Sequence, residues 1–114
     1  MKIIHSTKLI TAILPKGRSL PVIEKLKTNH QVTSASFNFA RGMGKMTPAK
    51  YRGVGEQSEK EVLSVLVDPE QADEIFEFIF HHAEINRPHG GVIYMQPLLQ
   101  STAYILPAEI DNEA

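Results

Sequence analysis

The chain has 114 residues, enough for one domain with its own core but few enough that partner subunits could add much of its stability. Twelve Lys and Arg against thirteen Asp and Glu leave a formal charge of -1, which excludes a surface that is basic throughout, as a general polyanion binder requires. There is no cysteine, so a disulfide framework, thiol catalysis and thiolate metal sites are excluded as well.

The opening MKIIHSTKLI holds a short apolar piece broken by His5, Ser6 and Thr7. It lacks the apolar core of a secretory signal, no later stretch approaches a membrane span, and the expected location is cytoplasmic. From Lys8 to Leu14 the run KLITAIL is rich in β-formers and is closed by Pro15 and Gly17, which predicts a first strand. Ser19 is placed to cap a helix, Pro21 falls in the first turn where amides lack helical partners, and Leu20, Ile23 and Leu26 recur on one face. That helix is expected to end near Asn29. VTSASFNFA then alternates as a half-buried strand does, with Thr33, Ala35, Phe37 and Phe39 on one side and Val32, Ser34, Ser36 and Asn38 on the other.

After a glycine-rich loop, EVLSVLV (61–67) is a nearly continuous apolar run suited to an inner strand with little exposed surface. Asp68, Pro69 and Gln71 supply an acidic cap, a proline at the first helical position and a capping-box partner. Ala72, Ile75, Phe76, Ile79 and Ala83 follow at helical spacing. Phe78, His82 and Ile85 widen the apolar side, which fits either a contact with another subunit or one loosely covered aromatic. The helix is expected to give way at Asn86, a last strand runs VIYMQ to Pro97, STAYILP is a further β-prone piece, and the acidic tail 108–114 is expected to fray. The order strand, helix, strand, strand, helix, strand is that of an α+β, ferredoxin-like βαββαβ sandwich, an antiparallel four-stranded sheet carrying both helices on one face. One domain over 1–114, with a long loop at 42–60, accounts for the chain.

This plan hosts unrelated functions, so function is argued from sites. RNA-recognition modules of this topology stack bases on aromatics in the third strand. EVLSVLV offers no aromatic and no cation, so no nucleic-acid partner is expected. Two glycine-rich segments remain, ARGMGKMTPAKYRGVGEQ (40–57) and NRPHGG (86–91). Arg41, Lys45, Lys50 and Arg52 meet no acid before Glu56, and glycine with arginine suits close approach to phosphate. By composition alone the first segment reads more simply as a long solvated hairpin loop, the second as a tight turn, and Glu56 and Glu61 as solvating charges. No nucleophile elbow, HExxH or full P-loop is present, which points away from an enzyme.

In sequence the chain resembles the PII family of nitrogen-regulatory signalling proteins over nearly its full length. Val32 to Arg41 is similar to the family's second-strand pattern, Tyr51, Arg52 and Gly53 to a YRG triplet in its long loop, and Gly91, Val92, Ile93 and Tyr94 to the glycine-led strand after its second helix. The resemblance implies a homotrimer whose sheets line a central core. It implies ATP or ADP in clefts between subunits, at Thr33, Arg41, Arg87, Gly90 and Gly91, and a long loop that controls a partner protein. Tyr51 and Arg52 are the partner contacts, with Tyr51 also matching a residue that some members have covalently modified. Gly42 stands where the family has a glutamine for magnesium and 2-oxoglutarate, and the family's C-terminal arginines are missing. Divergent relatives of this kind are associated with membrane transporters, which makes a transporter a candidate partner.

The histidines open a second reading. His81 and His82 are neighbours on a helix and project about 100° apart, so they do not share one ion within a subunit. His82 is expected to be packed and His81 to face water. A site using His82 and His89, completed across a trimer axis, would make a metal-responsive trimer resembling the CutA proteins. A nucleotide-independent interaction module is the remaining alternative.

Overall fold

Two eight-residue strands, β2 (Lys8–Pro15) and β4 (Lys60–Val67), pair antiparallel along their whole length, from Lys8 opposite Val67 to Pro15 opposite Lys60. Around them the computed structural model, which describes residues 3–40 and 59–102, places β3 (Ala35–Ala40) beyond β4 and β5 (Val92–Pro97) beyond β2. The sheet order is β3-β4-β2-β5 with every pair antiparallel. Helices α1 (Ser19–His30) and α2 (Pro69–His82) follow β2 and β4, which gives the ferredoxin-like α+β arrangement expected from the order of elements. Beyond that plan, β1 (Ile3–Ile4) pairs with β6 (Ser101–Thr102), the start of the β-prone STAYILP, in a short ribbon whose first strand and pairing the residue pattern did not announce. Lys60, expected in the long loop, is the first residue of β4.

The core lies between the sheet and the two helices. Ile10, Ala12, Leu14, Leu63 and Val65 from the sheet meet Val22, Leu26, Ala72, Ile75 and Ile79 from the helices, each no more than 1% exposed. Strand β4 is interior but is not buried on both faces as its apolar run suggested. Glu61, Leu63, Val65 and Val67 are buried while Val62, Ser64 and Leu66 are only half-buried, because the helices cover one side of the sheet. The uncovered side carries Leu9, Thr11, Ile13, Val62, Leu66, Val92 and Tyr94 by the same alternation and register. Tyr94 and Val92 on that side are 45% and 49% exposed.

Val32 departs from the expected alternation and is 8% exposed, packed in the core. It precedes β3 and follows Gln31, which ends α1 at φ 57, and its N–H donates to the Leu26 carbonyl at 3.1 Å. A residue in that turn is free of the strand's phase. Phe39, by contrast, lies at the sheet edge and is 59% exposed, with its ring edge-on to Phe37 at 5.6 Å. The broad apolar side of α2 is satisfied within the chain, since Phe78 and Ile85 pack partly against the core and the His30 ring lies 4.5 Å from Phe78. Replacing Ile79 with Ala should cost about 2–5 kcal/mol in urea unfolding, because it opens a cavity at a fully buried site, whereas Leu20→Ala at an exposed site should cost under about 1 kcal/mol.

Candidate functional site

One end of the sheet gathers three chain connections. Ala40 lies opposite Lys60, so residues 41–58 leave and rejoin the sheet on adjacent strands at this end. Pro15 also lies opposite Lys60, which brings the β2–α1 turn there, and Ile13 opposite Val92 brings the Gly90–Gly91 turn. Arg41, Tyr51 and Arg52 lie outside the described residues.

Glu61 organises the first two connections, and it is not the solvated charge its position beside a loop suggested. It is 3% exposed; Oε2 accepts the Gly17 N–H at 2.8 Å and Oε1 the Ser19 N–H at 2.9 Å. Helix α1 begins at Ser19 with Arg18 in the cap position and no side-chain cap of its own, so the cap expected from Ser19 is supplied by Glu61 from the neighbouring strand. Gly17 reaches φ 92 to turn its amide inward. Burial pushes the Glu61 carboxyl pKa up, but the Gly17 and Ser19 amides and the nearby Lys16 charge outweigh it, leaving the group below its usual 4.5. Lys16 in turn reaches the Glu59 carboxylate at 3.2 Å. The helix start is thus tied to the point where the long loop rejoins the sheet.

The end of α2 forms the third connection. The helix stops at His82, earlier than the expected Asn86, in a pair of terminal bonds: Ile85 N–H to the Phe80 carbonyl at 3.0 Å and Glu84 N–H to the His81 carbonyl at 3.1 Å. Glu84 takes φ 60 in this motif, at a position usually given to Gly or Asn. Arg18 spans to it from the β2–α1 turn, donating to the Ala83 carbonyl at 3.1 Å and lying 3.0 Å from Glu84 Oε2. Arg87 lies 2.8 Å from Glu84 Oε1. These side chains are 35%, 38% and 69% exposed for Arg18, Glu84 and Arg87, so each pair contributes only about 0–1 kcal/mol and is screened by salt.

The two glycines of the turn are demanded by the protein itself. A Cβ on Gly90 would run into the Glu84 carbonyl oxygen and approach that of Arg87 to 2.8 Å. Gly91, at φ 112, brings its backbone against the Ile13 carbonyl as β5 joins β2. Their place in the turn follows without any phosphate.

Thr33 is not brought to this end. It borders a cleft of about 330 Å³ with Thr7, Ser34, Leu66, Asp68 and Gln71 at the opposite end of the sheet, where Lys8 lies opposite Val67. Strand rise and spacing put Thr33 on the order of 20 Å from Gly91 within one chain. A site shared by the two therefore needs residues from two protomers. His82, expected to be packed, is exposed; its ring stacks on Phe78 at 4.0 Å and its Nδ1 lies 3.0 Å from the Phe78 carbonyl, one turn back on the last turn of the helix. His89 is exposed at φ 62. Among the described residues no group of three or more His, Cys, Asp or Glu side chains is arranged to hold a metal ion.

Three residues that shape this end, Arg18, Glu61 and Glu84, were not singled out by the residue pattern as parts of a site. Glu61 carried a signal, an acid in phase with the buried Leu63, Val65 and Val67. Arg18 carried none, since its partner carbonyl is 65 residues away.

No protein-family profile matches the chain, and no curated protein matches it. Among solved structures it is similar to Arabidopsis thaliana PII bound to citrate, with a TM-score of 0.64 at 17% identity, covering 82% of this chain and 78% of that one. At that identity the likeness is one of fold, and the fold is the PII type. Among the described residues no helix is long and apolar enough to cross a membrane.

Glu61→Gln should cost about 1–3 kcal/mol at neutral pH by denaturant unfolding, since it weakens two buried acceptor bonds. Because the folded pKa lies below the unfolded one, this contribution is complete above pH 4.5 and fades as pH falls through the folded value, so the gap between wild type and variant should close in acid. Gly91→Ala should destabilise by more than about 2 kcal/mol in the same measurement, through both its left-handed φ and the Ile13 carbonyl.

Proposed function

We propose that the chain is a regulatory protein of PII type, a homotrimer that binds an adenine nucleotide, ATP or ADP, between subunits and controls a partner protein through residues 42–57. The observation that carries this reading is the placement of that segment: it leaves and rejoins the sheet at the end where the Arg87–Gly91 turn lies, on a PII-type fold. Two further features support it. The uncovered side of the sheet presents Ile13, Val62, Leu66, Val92 and Tyr94, a surface suited to burial against other subunits. Association would also join the Thr33 end of one protomer to the Arg87 end of the next, which a single chain keeps apart.

Within this reading Arg41 and Arg87 serve the phosphates, Thr33 the base end of the nucleotide, and Tyr51 with Arg52 the partner. The citrate bound by the Arabidopsis protein is, like a nucleotide phosphate, a multivalent anion. Nucleotide binding moves the loop only if its two conformations bind the ligand unequally, as when Arg41 pairs in one and not in the other. The role is one of control and not of catalysis, the setting is cytoplasmic, and a membrane transporter is the candidate partner.

Titrating ATP, ADP and AMP calorimetrically into wild type and Arg41→Ala tests the nucleotide half. Heat with wild type that weakens several-fold in the variant is expected, and no heat with any nucleotide at high micromolar protein removes it. Light scattering tests the assembly, with three times the chain mass expected and a monomer fatal.

A further inference from the structure

We propose that Arg18 and Arg87 form a binding pair for a phosphate-bearing anion, and that Glu84 is a competitor built into the chain that occupies the pair until such an anion displaces it. The inference rests on the proposed function only in taking the natural anion to be a nucleotide's phosphates.

The two guanidinium groups converge on one carboxylate from opposite oxygens, Arg18 at 3.0 Å from Oε2 and Arg87 at 2.8 Å from Oε1. Forked donors aimed at one small anion suit phosphate as well as carboxylate, and a phosphate brings an additional oxygen and more charge. The pair is accessible, since the three side chains are one-third to two-thirds exposed, and the Glu84 carboxylate can leave into water without burying its charge. Arg18 keeps its place when that happens, because it also donates to the Ala83 carbonyl. The neighbouring cation Lys16 is held by Glu59, and Glu61 is held by the Gly17 and Ser19 amides. The pair then faces an incoming anion with two positive charges in place of a net one.

Glu84 is poorly suited to its own position on two independent counts. It holds φ 60, where glycine is at ease, and it sets a negative charge beside the negative end of α2. A glycine or asparagine there would end the helix with neither handicap, and Arg18 and Arg87 would sit well against the free helix carbonyls. A residue kept against both local preferences points to a task for its carboxylate, and the task the geometry offers is to hold two arginines. Occupancy by Glu84 sets a threshold, so that only an anion of higher charge than a carboxylate gains the site.

The test titrates inorganic tripolyphosphate and, separately, ATP into wild type, Glu84→Gln and Glu84→Gly by calorimetry, with circular dichroism to verify the fold. Both variants should bind tripolyphosphate at least ten-fold more tightly than wild type. Glu84→Gly should also unfold at no lower temperature, because it relieves the left-handed backbone. Adding Arg18→Gln to Glu84→Gln should abolish the gain, while Arg18→Lys should keep part of it. A folded Glu84 variant whose tripolyphosphate affinity stays within two-fold of wild type overturns the proposal, as does binding to no variant. ATP binding that ignores Glu84 overturns it and leaves the nucleotide reading standing. Tighter tripolyphosphate binding with no response to ATP supports it and removes the nucleotide reading.

Discussion

A buried carboxylate at the start of β4 ties strand, helix and loop into one unit. Glu61 gives up hydration to reach the Gly17 and Ser19 amides, and those amides, unpartnered at the head of α1, give up theirs to reach it. Each group alone would cost free energy where it lies, and together they cancel most of that cost. The bond spans the sheet's central strand pair, because Glu61 lies opposite Leu14 just before β2 turns into α1. The contact holds the start of α1 against β4, in the element whose Val22 and Leu26 share the core with Ile10 and Leu63.

The same end of the sheet is organised by charge as well as by packing. Lys16 with Glu59, Glu61 with the helix amides, and Arg18 with Glu84 and Arg87 form successive ties between the β2–α1 turn, the resumption of β4 and the end of α2. Only the Glu61 tie is buried, so only it contributes strongly to stability. The others are exposed and weak, which makes them exchangeable. Backbone at this end is therefore held firmly and its charged side chains loosely. The glycines of the 90–91 turn belong to the firm part, since a Cβ on Gly90 would run into the Glu84 carbonyl and one on Gly91 into the Ile13 carbonyl.

The opposite end of the molecule has a different character. There the cleft around Thr33 and Asp68 is built from the segment leading into β3, the end of β4, the start of α2 and the β1–β6 ribbon, with Ser34 Oγ donating to the Leu66 carbonyl at 2.6 Å. A ligand that needs both ends is too demanding for one chain, and the uncovered side of the sheet offers the surface through which a second chain would supply the missing half.

Much of the fold was legible in the residues. The β-formers of KLITAIL, helical spacing from Ala72 to Ala83, the Asp68–Pro69 helix start and the Gly90–Gly91 break each report local geometry, and local geometry is what neighbouring residues decide. Their order was enough to name the ferredoxin-like sandwich. The pattern misjudged residues whose state depends on distant partners. Glu61 looked solvated because nothing near it in sequence could satisfy it, Ser19 looked like a cap because the true cap lies on another strand, and His82 looked packed because it follows Phe78 by one turn on the apolar side, whereas its ring stacks on Phe78 while staying exposed to water. The arrival of Arg18 at Glu84 and the Ala83 carbonyl, and the separation of Thr33 from the glycine turn, were decided by tertiary structure alone. Sequence sets which elements form and in what order, whereas only folding sets which of their ends meet, because those contacts join residues that the chain itself holds far apart.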